Sequence, residues 1–539
     1  MPVWWCAGCE APLLSDNCSV CGTRVAKPMA ADLAPVFSEE MDYLRDILGV
    51  RCLPKRSRDH YLWSSGVHYY RLGRRVITLR NLSGDTPRPE IVDEAGIHAR
   101  GRSGTSRVTP VTRLVRANLA HMERIENEAT SFIRTTIEEH PGHAVLVAFS
   151  GGKDSTAVSV LCRKSVGHSS VIHIFSDTTV EAPDTYDYLS RFQRENPRVP
   201  LIRVGPSVGF LDMCSEIGPP SRILRWCCSS HKATPMARVV SALAKDNDGV
   251  LTFDGIRAAE SSRRSKYARV THDAKIQNEI LASPILDWGD LEVWAFLLSQ
   301  DVRFNRAYRR GFRRVGCLPC PFNSRWSDIL ASHYYPEWHA SWREFLLQHA
   351  QRIGHPNPAH FSCEGWRARA GGNGLEHQRA SLRKEACEKE RQTYTYELVR
   401  PWTDAVLEFL KPLGAIQIAS DDGVILGLEV IDPVSRRPLL RARISRPRSH
   451  LRVHFSDQRN LRLFIQRFER QLRKYQSCVL CGSCASACPS GALSVSGGLA
   501  IAEGSCSGCL LCVRADCVAE ESLKRKGRSV EWRVCSGSE

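Results

Sequence analysis

The sequence lacks an apolar run long enough to cross a bilayer, which takes about 18 consecutive residues. Its first ten residues, MPVWWCAGCE, contain neither the basic start nor the apolar stretch of a secretory signal. We therefore expect a cytoplasmic protein with no membrane partner. Acidic residues are scarce as well, since 58 Asp and Glu face 74 Lys and Arg. The net charge of +16 indicates either an anionic partner, such as nucleic acid or a phosphorylated substrate, or a solvated basic surface.

The sequence has no Walker A loop, but one strand–loop–helix segment has the features of a phosphate site. In AVLVAFSGGKDSTAVSV, residues 150–155 follow an apolar strand and precede an amphipathic helix. Gly151 and Gly152 let the backbone approach a phosphate closely, and the helix start presents unpaired N–H groups to an anion. Ser150 and Ser155 add hydroxyl donors. We predict that this loop binds the phosphates of a nucleotide.

The segment SGGKDS resembles the PP-loop of the adenine nucleotide alpha hydrolases, a family that includes ATP pyrophosphatases, thiolation enzymes and phosphoadenylyl-sulfate reductases. DGIRAAESSRR is similar to the GxRxxESxxR element of adenylyl-sulfate reductases, and PILDWGDLEVWAFL to the segment that follows it. The resemblance implies that ATP or another adenine nucleotide binds to Ser150, Gly151, Gly152, Lys153, Asp154, Ser155, Asp177, Gly255 and Arg257. It also implies catalytic roles for Lys153, Asp154 and Arg257, with Mg²⁺ at Asp154 or Asp177.

Cysteine is abundant: the chain has 22, and sixteen of them fall into four tight groups. The groups are Cys6, Cys9, Cys18 and Cys21; Cys227, Cys228, Cys317 and Cys320; Cys478, Cys481, Cys484 and Cys488; and Cys506, Cys509, Cys512 and Cys517. In a reducing compartment such groups bind metals and rarely form disulfides. For the remaining six we expect ordinary buried packing: Cys52, Cys162, Cys214, Cys363, Cys387 and Cys535.

The first group lies in WWCAGCEAPLLSDNCSVCGTR, which contains two CxxC knuckles joined by a short, turn-rich loop. Each knuckle supplies two thiolates, and the two together make the tetrahedral sulfur set that zinc favours. We predict a zinc ribbon with a structural or docking role. A rubredoxin-like iron site is the alternative.

The second group comes from RWCCSSHK and RVGCLPCPF, which the fold has to bring together. Four thiolates suit a [4Fe–4S] cluster, and a zinc ion is the alternative because thiolates alone do not identify the metal. The arrangement resembles the CC…CxxC signature of assimilatory adenylyl-sulfate reductases. Arginines crowd the adjoining segment RFNRAYRRGFRR, where they either bind an anionic substrate or form a solvated face.

One element of the reductases is missing. Adenylyl- and phosphoadenylyl-sulfate reductases resemble one another in a C-terminal ECG[IL]H-type segment, whose cysteine attacks the sulfonucleotide. Neither Cys363, in FSCEGW, nor Cys387, in KEACEKERQ, matches that segment. A reaction through a mobile cysteine that thioredoxin later resolves is therefore in doubt.

The third and fourth groups form a pair of ferredoxin motifs. CVLCGSCASACP has the C-x2-C-x2-C-x3-C-P spacing of bacterial two-cluster ferredoxins, and CSGCLLCVRADC repeats it with one extra residue and no final proline. In that family the fourth cysteine of each run binds the other cluster. The resemblance implies one [4Fe–4S] cluster at Cys478, Cys481, Cys484 and Cys517, and another at Cys506, Cys509, Cys512 and Cys488.

Alternating strands and helices predict an α/β fold with a parallel-sheet PP-loop core, flanked by small α+β domains. Helical spacing is expected from about 111 to 140 and over roughly 325–392. HYYRLGRRVITLRN is expected to form a strand or hairpin, and residues 100–108 a flexible basic loop. Four further strands are expected at GAIQIAS, VILGLEV, LLRARIS and LRVHF, followed by the helix NLRLFIQRFERQLRKY. The expected domains are a zinc ribbon (1–27), a small β-containing and possibly PUA-like domain (28–110), the PP-loop domain (111–350), a helical segment with a small basic α+β unit (351–475), a two-cluster ferredoxin domain (476–520) and a tail (521–539).

Three functions fit this combination. The favoured one is an adenylylating sulfurtransferase acting on tRNA or DNA, in which sulfur carried on the [4Fe–4S] cluster or on a cysteine displaces AMP. The second is a reductase of adenylyl sulfate or phosphoadenylyl sulfate that uses its own ferredoxin clusters. The third is a non-enzymatic scaffold for electron transfer or nucleic-acid binding. Either enzyme would need a sulfur donor or an electron-donor protein as a partner.

Overall fold

The computed structural model describes residues 2–55, 62–81, 87–99, 109–272, 276, 278–369, 377–421, 425–445, 450–456 and 458–524. The basic loop predicted at 100–108 and Cys535 lie outside these residues. None of the helices within them is both long and apolar enough to cross a membrane.

The N-terminal residues form an antiparallel ribbon of β1 (Trp4–Cys6) and β2 (Ala11–Leu13). A five-stranded antiparallel sheet follows, with its strands in chain order. Its strands are β3 (Ala34–Pro35), β4 (Trp63–Ser65), β5 (His68–Arg71), β6 (Arg74–Arg80) and β7 (Arg88–Ile91), and its helices are α1 (Ser38–Asp42) and α2 (Glu94–His98). The strand or hairpin predicted for HYYRLGRRVITLRN is the hairpin β5–β6.

The central domain is built on a six-stranded sheet in the order β10-β9-β8-β11-β13-β12, parallel except for β12. The strands are β8 (Ala144–Ala148), β9 (Ile172–Ser176), β10 (Leu201–Val204), β11 (Val250–Phe253), β12 (Val270–His272) and β13 (Glu279–Ala282). The helices are α3 (Pro110–Ala117), α4 (Leu119–Glu139), α5 (Lys153–Val166), α6 (Pro183–Glu195), α7 (Phe210–Ile217), α8 (Thr234–Leu243), α9 (Asp290–Ser299), α10 (Arg325–Tyr334), α11 (Pro336–Arg352) and α12 (Pro358–Cys363).

The strand order gives this sheet a topological switch point. The chain runs from β8 outwards through β9 to β10 and then returns to β11 on the other side of β8. In open α/β sheets, ligands bind beyond the carboxyl ends of the strands at such a point. The loops that follow β8 and β11 therefore face each other, and the predicted parallel α/β fold is confirmed.

The helical pattern predicted from 111 to 140 is divided into α3 and α4 at Asn118. The Asn118 amide accepts a hydrogen bond from Leu14 N (2.7 Å) and donates to the carbonyls of Pro12 (2.9 Å) and Leu114 (2.8 Å). A buried side-chain amide bonded on both sides is costly to remove. Asn118 thus ties the N-terminal ribbon to the central domain.

His173 on β9 is fully buried under the sheet, where its Nε2 lies 2.8 Å from Ser159 Oγ and its ring contacts Phe149. Burial lowers its pKa to about 4, against an ordinary value of 6.5. The unfolded chain therefore takes up a proton at this position as the pH falls below 6.5, while the folded chain takes it up only near pH 4. This histidine stabilises the fold above pH 6.5, and that contribution is lost between pH 6.5 and 4.

Between pH 6.5 and 4, we expect His173→Gln to reduce the slope of the unfolding free energy against pH by up to about 1.4 kcal/mol per pH unit. Urea unfolding followed by tryptophan fluorescence from pH 7 to 4.5 measures this dependence. The exposed His168 provides the control, because His168→Gln should follow the parent chain. If the unfolding free energies of all three proteins changed with pH in the same way, the assignment of a neutral buried histidine would be contradicted.

The third domain is a six-stranded antiparallel sheet in the order β14-β15-β19-β18-β17-β16. Its elements are β14 (Arg383–Ala386), β15 (Thr393–Glu397), α13 (Ala405–Leu410), β16 (Ala415–Asp421), β17 (Ile425–Ile431), β18 (Pro438–Ser445), β19 (His450–Phe455) and α14 (Leu461–Ser477). Four of these strands and α14 match the predicted runs. The helical stretch predicted to reach about residue 392 is wrong at its end, because RKEA pairs with β15 as an edge strand.

The last module is small and rich in turns. It contains a two-stranded ribbon, β20 (Leu493–Ser494) and β21 (Ala500–Ile501), and the short helices α15 (Leu511–Arg514) and α16 (Val518–Leu523). Its core consists of Leu493, Val495 and Ile501 packed against cysteine side chains. Cysteine-bound clusters would complete this core, since few other apolar residues are available.

Candidate active site and metal centres

The predicted nucleotide loop joins β8 to the first turn of α5. The hydroxyls of Ser150 and Ser155 lie 3.2 Å apart, and Ser155 Oγ also donates to the carbonyl of Gly152 (3.0 Å). The Lys153 N–H donates to Tyr308 Oη (2.9 Å), which fixes the first residue of the helix. Unpaired N–H groups and the positive end of the helix dipole meet at this point, so the loop suits a phosphate group.

Gly255 brings the loop after β11 against the nucleotide loop. A Cβ atom at this position would lie 2.8 Å from Asp154 C and 2.9 Å from Ser155 N, both of them backbone atoms. Only glycine allows this approach without moving one of the two loops. The predicted Gly255–Arg257 element therefore meets the nucleotide loop at the switch point.

Four charged side chains form a buried ionic cluster beneath the loop, which we call the quartet: Lys153, Asp154, Arg257 and Asp290. Lys153 Nζ lies 3.0 Å from Asp154 Oδ2 and 2.8 Å from Asp290 Oδ1. Arg257 Nε lies 2.7 Å from Asp154 Oδ1, and its Nη2 lies 2.9 Å from Asp290 Oδ1. The side chains of Lys153 and Arg257 are only 4% and 5% exposed, so two cations and two anions balance each other away from water.

The quartet holds Lys153, Asp154 and Arg257 in their charged forms. Burial alone would lower the pKa of Lys153, but the carboxylates of Asp154 and Asp290 outweigh burial and raise it. Burial would raise the pKa of Asp154, but Lys153 and Arg257 outweigh burial and lower it. All three predicted catalytic residues are thus brought together, and they act as a fixed charge pattern rather than as titrating groups.

Sequence reasoning missed three residues near the loop. Asp290 begins α9 and completes the quartet, and Tyr308 bonds to the loop backbone. Asp32, in the N-terminal region, has its pKa raised to about 6 by burial and by the charge of Asp290. The sequence signal for Asp290 was its position at the start of a predicted helix in PILDWGDLEVW, whereas nothing local marked Tyr308 or Asp32.

Asp177 lies at the carboxyl end of β9, as predicted, but its carboxylate is fully engaged. Its Oδ1 accepts hydrogen bonds from Thr179 N and Tyr186 Oη, each at 2.8 Å. Its Oδ2 pairs with the guanidinium of Arg203 on β10. Because these partners use most of its lone pairs, Asp177 acts in this state as a link between the loops after β9 and β10.

The second cysteine group assembles at the carboxyl end of β9, beside the loop that contains Asp177. The pKa of Cys227 is raised by its contact with Cys228, by burial and by the charges of Cys317 and Cys320, so the four thiols are close neighbours. Burial raises the pKa of Cys317 to about 12, although the nearby ammonium of Lys232 opposes this. Cys227, Cys317 and Cys320 are partly buried and Cys228 is exposed, and neighbouring thiols of this kind become thiolates when a metal binds them.

Polar side chains surround the Cys317 sulfur. Thr178 Oγ1 donates to Cys317 Sγ (3.4 Å), and that thiol donates to Glu181 Oε1 (3.3 Å). Lys232 lies 3.9 Å from the same carboxylate oxygen. Hydrogen bonds to ligand sulfurs tune the potential of an iron–sulfur site, and Thr178 donates such a bond, whereas the bond from Cys317 to Glu181 is lost once Cys317 is a thiolate.

The N-terminal group has a different geometry. The four sulfurs of Cys6, Cys9, Cys18 and Cys21 all lie within 4.8 Å of one another, with contacts of 3.5 and 3.6 Å. A single zinc ion about 2.3 Å from each sulfur needs such a compact set. Across the described ranges, no other group of His, Cys, Asp and Glu side chains is this compact. The first group therefore fits one zinc ion. The sulfurs of the other three cysteine groups are spaced more widely, which favours iron–sulfur clusters, and the identity of the metal at each of these groups stays a prediction.

We expect Cys18→Ser to remove the zinc ion and leave the iron in place. The parent chain should contain about one zinc and about twelve iron atoms, and the variant less than about a tenth of the zinc with the same iron. Elemental analysis by inductively coupled plasma mass spectrometry gives both numbers. Cys52→Ser is the control, because Cys52 belongs to no group. Equal zinc in all three proteins would show that the ion lies elsewhere.

The two ferredoxin motifs interleave. The pKa of Cys484 is raised by burial and by the charges of Cys478, Cys481 and Cys517, which places the last cysteine of the second motif beside the first motif. The pKa of Cys512 is raised to about 11 by burial, with Lys474 opposing and with Cys488, Cys506 and Cys509 as the neighbouring thiolates. All four cysteines of the first set line one apolar cavity, together with Cys512 of the second set. The structure thus brings the first set together, and the assignment of one cluster to each set stays a prediction.

The ferredoxin module docks next to the core cysteine group. Gly482 lies between two ligands of the first set, and a Cβ there would come within 3.1 Å of Thr234 and 3.2 Å of Arg238, both on α8. The turn just before α8 contains Cys227 and Cys228. One apolar cluster includes side chains from both sides: Phe210, Trp226, Cys227 and Cys317 of the core, with Val479, Cys481, Cys517 and Ala519 of the module.

The arginine-rich segment before Cys317 is mostly engaged in contacts within the chain. Five of its six arginines pair with carboxylates: Arg303 with Glu195, Arg306 and Arg309 with Glu39, Arg310 with Asp184, and Arg313 with Glu40. Glu40 is completely buried. The pairs with Glu39 and Glu40 fasten α1 to the central domain, and the pairs with Glu195 and Asp184 lie within the central domain. Most of the positive charge of this segment is therefore used inside the chain.

Comparison with known proteins supports this picture. Residues 144–323 match the phosphoadenosine phosphosulfate reductase domain, and residues 474–494 match the 4Fe-4S binding domain. An uncharacterised protein of Methanocaldococcus jannaschii is 32% identical over 253 residues, which are 47% of this chain and 50% of that protein. An adenosine 5'-phosphosulfate reductase of Staphylococcus epidermidis is 24% identical over 149 residues, 27% of this chain and 58% of that enzyme.

Among solved structures, the phosphoadenylyl-sulfate reductase of Candida auris is similar at 15% identity and a TM-score of 0.28, over 37% of this chain and 94% of that one. The chain spans only about half the length of the first curated relatives that it matches. The expected resemblance is confirmed at the level of domains: the chain carries a phosphoadenosine phosphosulfate reductase domain with a PP-loop fold and a 4Fe-4S motif.

Proposed function

We propose that this chain, with its phosphoadenosine phosphosulfate reductase domain and its ferredoxin motif, is an ATP-dependent sulfurtransferase acting on a nucleic acid, either tRNA or DNA. An oxygen atom of the nucleic acid attacks the α-phosphorus of ATP, and pyrophosphate leaves. A sulfur atom at the oxidation level of sulfide then bonds to the activated atom, and AMP leaves with the oxygen. The transfer itself consumes ATP and needs no net oxidation or reduction.

One observation carries this proposal: the nucleotide loop and the core cysteine group lie at the carboxyl ends of the neighbouring strands β8 and β9. Neighbouring strands are about 4.8 Å apart, so the two loops lie side by side at one edge of the sheet, where one substrate can contact both. An iron–sulfur cluster, when bound by these cysteines, supplies iron that binds sulfur.

The chain's own residues have distinct roles in this proposal. The N–H groups at the start of α5, with Ser150 and Ser155, hold the phosphates and stabilise the charge of the leaving pyrophosphate. Lys153 and Arg257 are fixed by the quartet, so their charge contributes without any movement of the side chains during the reaction. We propose that Mg²⁺ arrives with ATP, since Asp154 and Asp177 already pair with Arg257 and Arg203.

A nucleic acid as the partner is supported by the outer face of the third domain. Arg443 on β18 lies directly opposite Arg452 on β19, and both are exposed. Arg441 continues this basic row on the same face. Arg441 pairs with Glu429 (2.7 Å) and Arg452 with Glu390 (3.0 Å), and ion pairs of such exposed arginines are weak enough to be exchanged for phosphate groups. Phosphate groups of a nucleic acid are the anions that such a row fits.

Sulfur transfer is further supported by the positions of the ungrouped cysteines. Within the described ranges, none of them lies in the loops that follow β8, β9 or β11. Cys162 and Cys214 are completely buried in helices. In the part of the chain that the structure describes, the cysteines at this edge of the sheet are therefore those of the core group.

A second candidate function is favoured by the docking of the ferredoxin module beside the core cysteines. In that case the substrate is adenylyl sulfate or phosphoadenylyl sulfate. Two electrons from the ferredoxin clusters reduce its sulfur, and sulfite leaves together with the adenine nucleotide. An external electron-donor protein would reload the clusters.

One anaerobic experiment separates the two candidates. The full chain, loaded with iron and sulfide, is incubated with ATP, sulfide and tRNA or DNA, and separately with each sulfonucleotide and a reductant. Pyrophosphate, AMP, thiolated nucleosides and sulfite are then measured. We expect pyrophosphate and thiolated nucleosides that depend on the nucleic acid. Ser155→Ala should suppress both, whereas Ser165→Ala, at the far end of the same helix, should not.

Sulfite without thiolated nucleosides would replace our proposal by the reductase. If ATP and the sulfonucleotides gave no product under any condition, and Ser155→Ala bound nucleotide as well as the parent chain did, both enzymatic functions would be wrong.

A further inference from the structure

Lys474, near the end of α14, is a buried ammonium group inside the ferredoxin module. Only 4% of the residue is exposed. Its Nζ donates to the carbonyls of Cys512 (2.6 Å), Ala515 (2.7 Å) and Val513 (3.3 Å). An ammonium group has three N–H donors, so all of them are used on main-chain oxygens.

No carboxylate in the described part of the chain forms an ion pair with this ammonium group. Burying a lone charge is costly unless an opposite charge lies close by. Lys474 instead lines one cavity with Cys478, Cys481, Cys484 and Cys517 of the first ligand set and with Cys512 of the second. The groups closest to its charge are therefore cysteine ligands of both sets.

The three carbonyls that accept hydrogen bonds from Lys474 explain why both ligand sets lie near this side chain. Residues 512–515 lead from Cys512, in the set with Cys488, to Cys517, in the set with Cys478. Lys474 reaches this crossing segment from α14, a helix that precedes the ferredoxin motifs in the chain. A single cation is thus placed between the two centres.

We propose that Lys474 is the shared counter-ion of the two ferredoxin clusters and raises the reduction potential of both. Each cluster accepts one electron from an external reductant and becomes more negative by one charge. A fixed cation in a poorly solvated site stabilises that added charge, because the attraction is weakly screened there. The proposal holds for either candidate function, since both leave the ferredoxin module to carry electrons.

The test uses the full chain, loaded anaerobically with iron and sulfide. Lys474→Met removes the charge and keeps much of the volume, while Lys474→Gln removes the charge and keeps a hydrogen-bond donor for the carbonyls. Arg470→Met, one turn earlier on α14, is the matched control, because Arg470 is partly exposed and pairs with Asp516. Midpoint potentials come from redox titrations followed by electron paramagnetic resonance, together with iron content.

We expect the equilibrium constant for reduction of both clusters to fall at least tenfold in both neutral variants, which is about 59 mV for one electron. Arg470→Met should change it less than about twofold. Unchanged potentials in a neutral variant that retains its iron would overturn the proposal in favour of a packing role. A shift of one cluster alone would overturn the claim that the cation is shared.

Iron loss is also informative. If both neutral variants lose iron while Lys474→Arg retains it at parental potentials, the requirement is for charge, and the proposal stands. If Lys474→Arg loses iron as well, the shape of the side chain is what matters, and the proposal is wrong.

Discussion

Gly255→Ala is expected to weaken the binding of ATP about a hundredfold, or about 2.7 kcal/mol. The added Cβ would lie 2.8 Å from Asp154 C and 2.9 Å from Ser155 N. Both atoms belong to the backbone of the first turn of α5, so no side-chain rotation relieves the overlap. The nucleotide loop or the loop after β11 has to shift, and the phosphate donors move away from the positions that bind ATP.

The matched control is Gly205→Ala, in the loop after β10 at the same edge of the sheet. Its Cβ would come no closer than 3.7 Å to another atom, the Asp177 carbonyl oxygen, which is ordinary contact. Isothermal titration calorimetry with a non-hydrolysable ATP analogue compares the two variants. Binding by Gly255→Ala within about threefold of the control would contradict the close approach of the two loops.

Asp290→Asn is expected to destabilise the nucleotide-free central domain by about 3–5 kcal/mol, the usual cost of removing one partner from a buried ionic cluster. The change leaves Lys153 and Arg257 with Asp154 as their one remaining carboxylate in the quartet. The buried site then carries an excess positive charge that water screens poorly.

The same excess charge gives the variant a second property. An anionic nucleotide supplies the missing negative charge beside the loop, so ATP should raise the melting temperature of Asp290→Asn more than that of the parent chain. Asp287→Asn is the control, because Asp287 is exposed in the same segment. Thermal unfolding with and without ATP measures both effects. If Asp290→Asn were as stable as the parent chain without nucleotide, the quartet would not be balanced as described. The same would follow if ATP raised the melting temperatures of the two proteins equally.

The sequence was a reliable guide where a local pattern has one structural outcome. The run AVLVAFSGGKDS predicts a buried strand that enters a helix through a glycine loop, and the structure has β8, the loop and α5 at these positions. The CxxC knuckles likewise predicted a compact set of sulfurs, and their four sulfurs lie within 4.8 Å.

Sequence alone could not supply contacts that depend on the order of the strands. Asp290 reaches Lys153 because β11 and β13 return on the opposite side of β8 from β9, and no local pattern encodes that order. Likewise, Arg313 looked like a substrate ligand beside Cys317, whereas it pairs with the buried Glu40 of another domain. Such pairs become visible only when the domains are assembled.

In the ferredoxin module, too, the local motifs could be predicted from the sequence and the contacts between domains could not. Its cysteine spacing predicted both ligand sets, but not the contact of Gly482 with α8 or the entry of Lys474 from α14. These contacts join segments from three domains, and their residues are unremarkable in the sequence. They also indicate why the module lies beside the core cysteines rather than at the end of a free linker.

The central claim is that the nucleotide loop and an iron–sulfur cluster at Cys227, Cys228, Cys317 and Cys320 form one site. The most direct test is Mössbauer spectroscopy of the chain loaded with iron-57, before and after addition of a non-hydrolysable ATP analogue. We predict that a four-iron component, absent in Cys317→Ser, changes its parameters when the analogue binds, while the eight-iron signal of the ferredoxin module stays the same. A spectrum without that component, or one in which nucleotide changes nothing, would contradict the account.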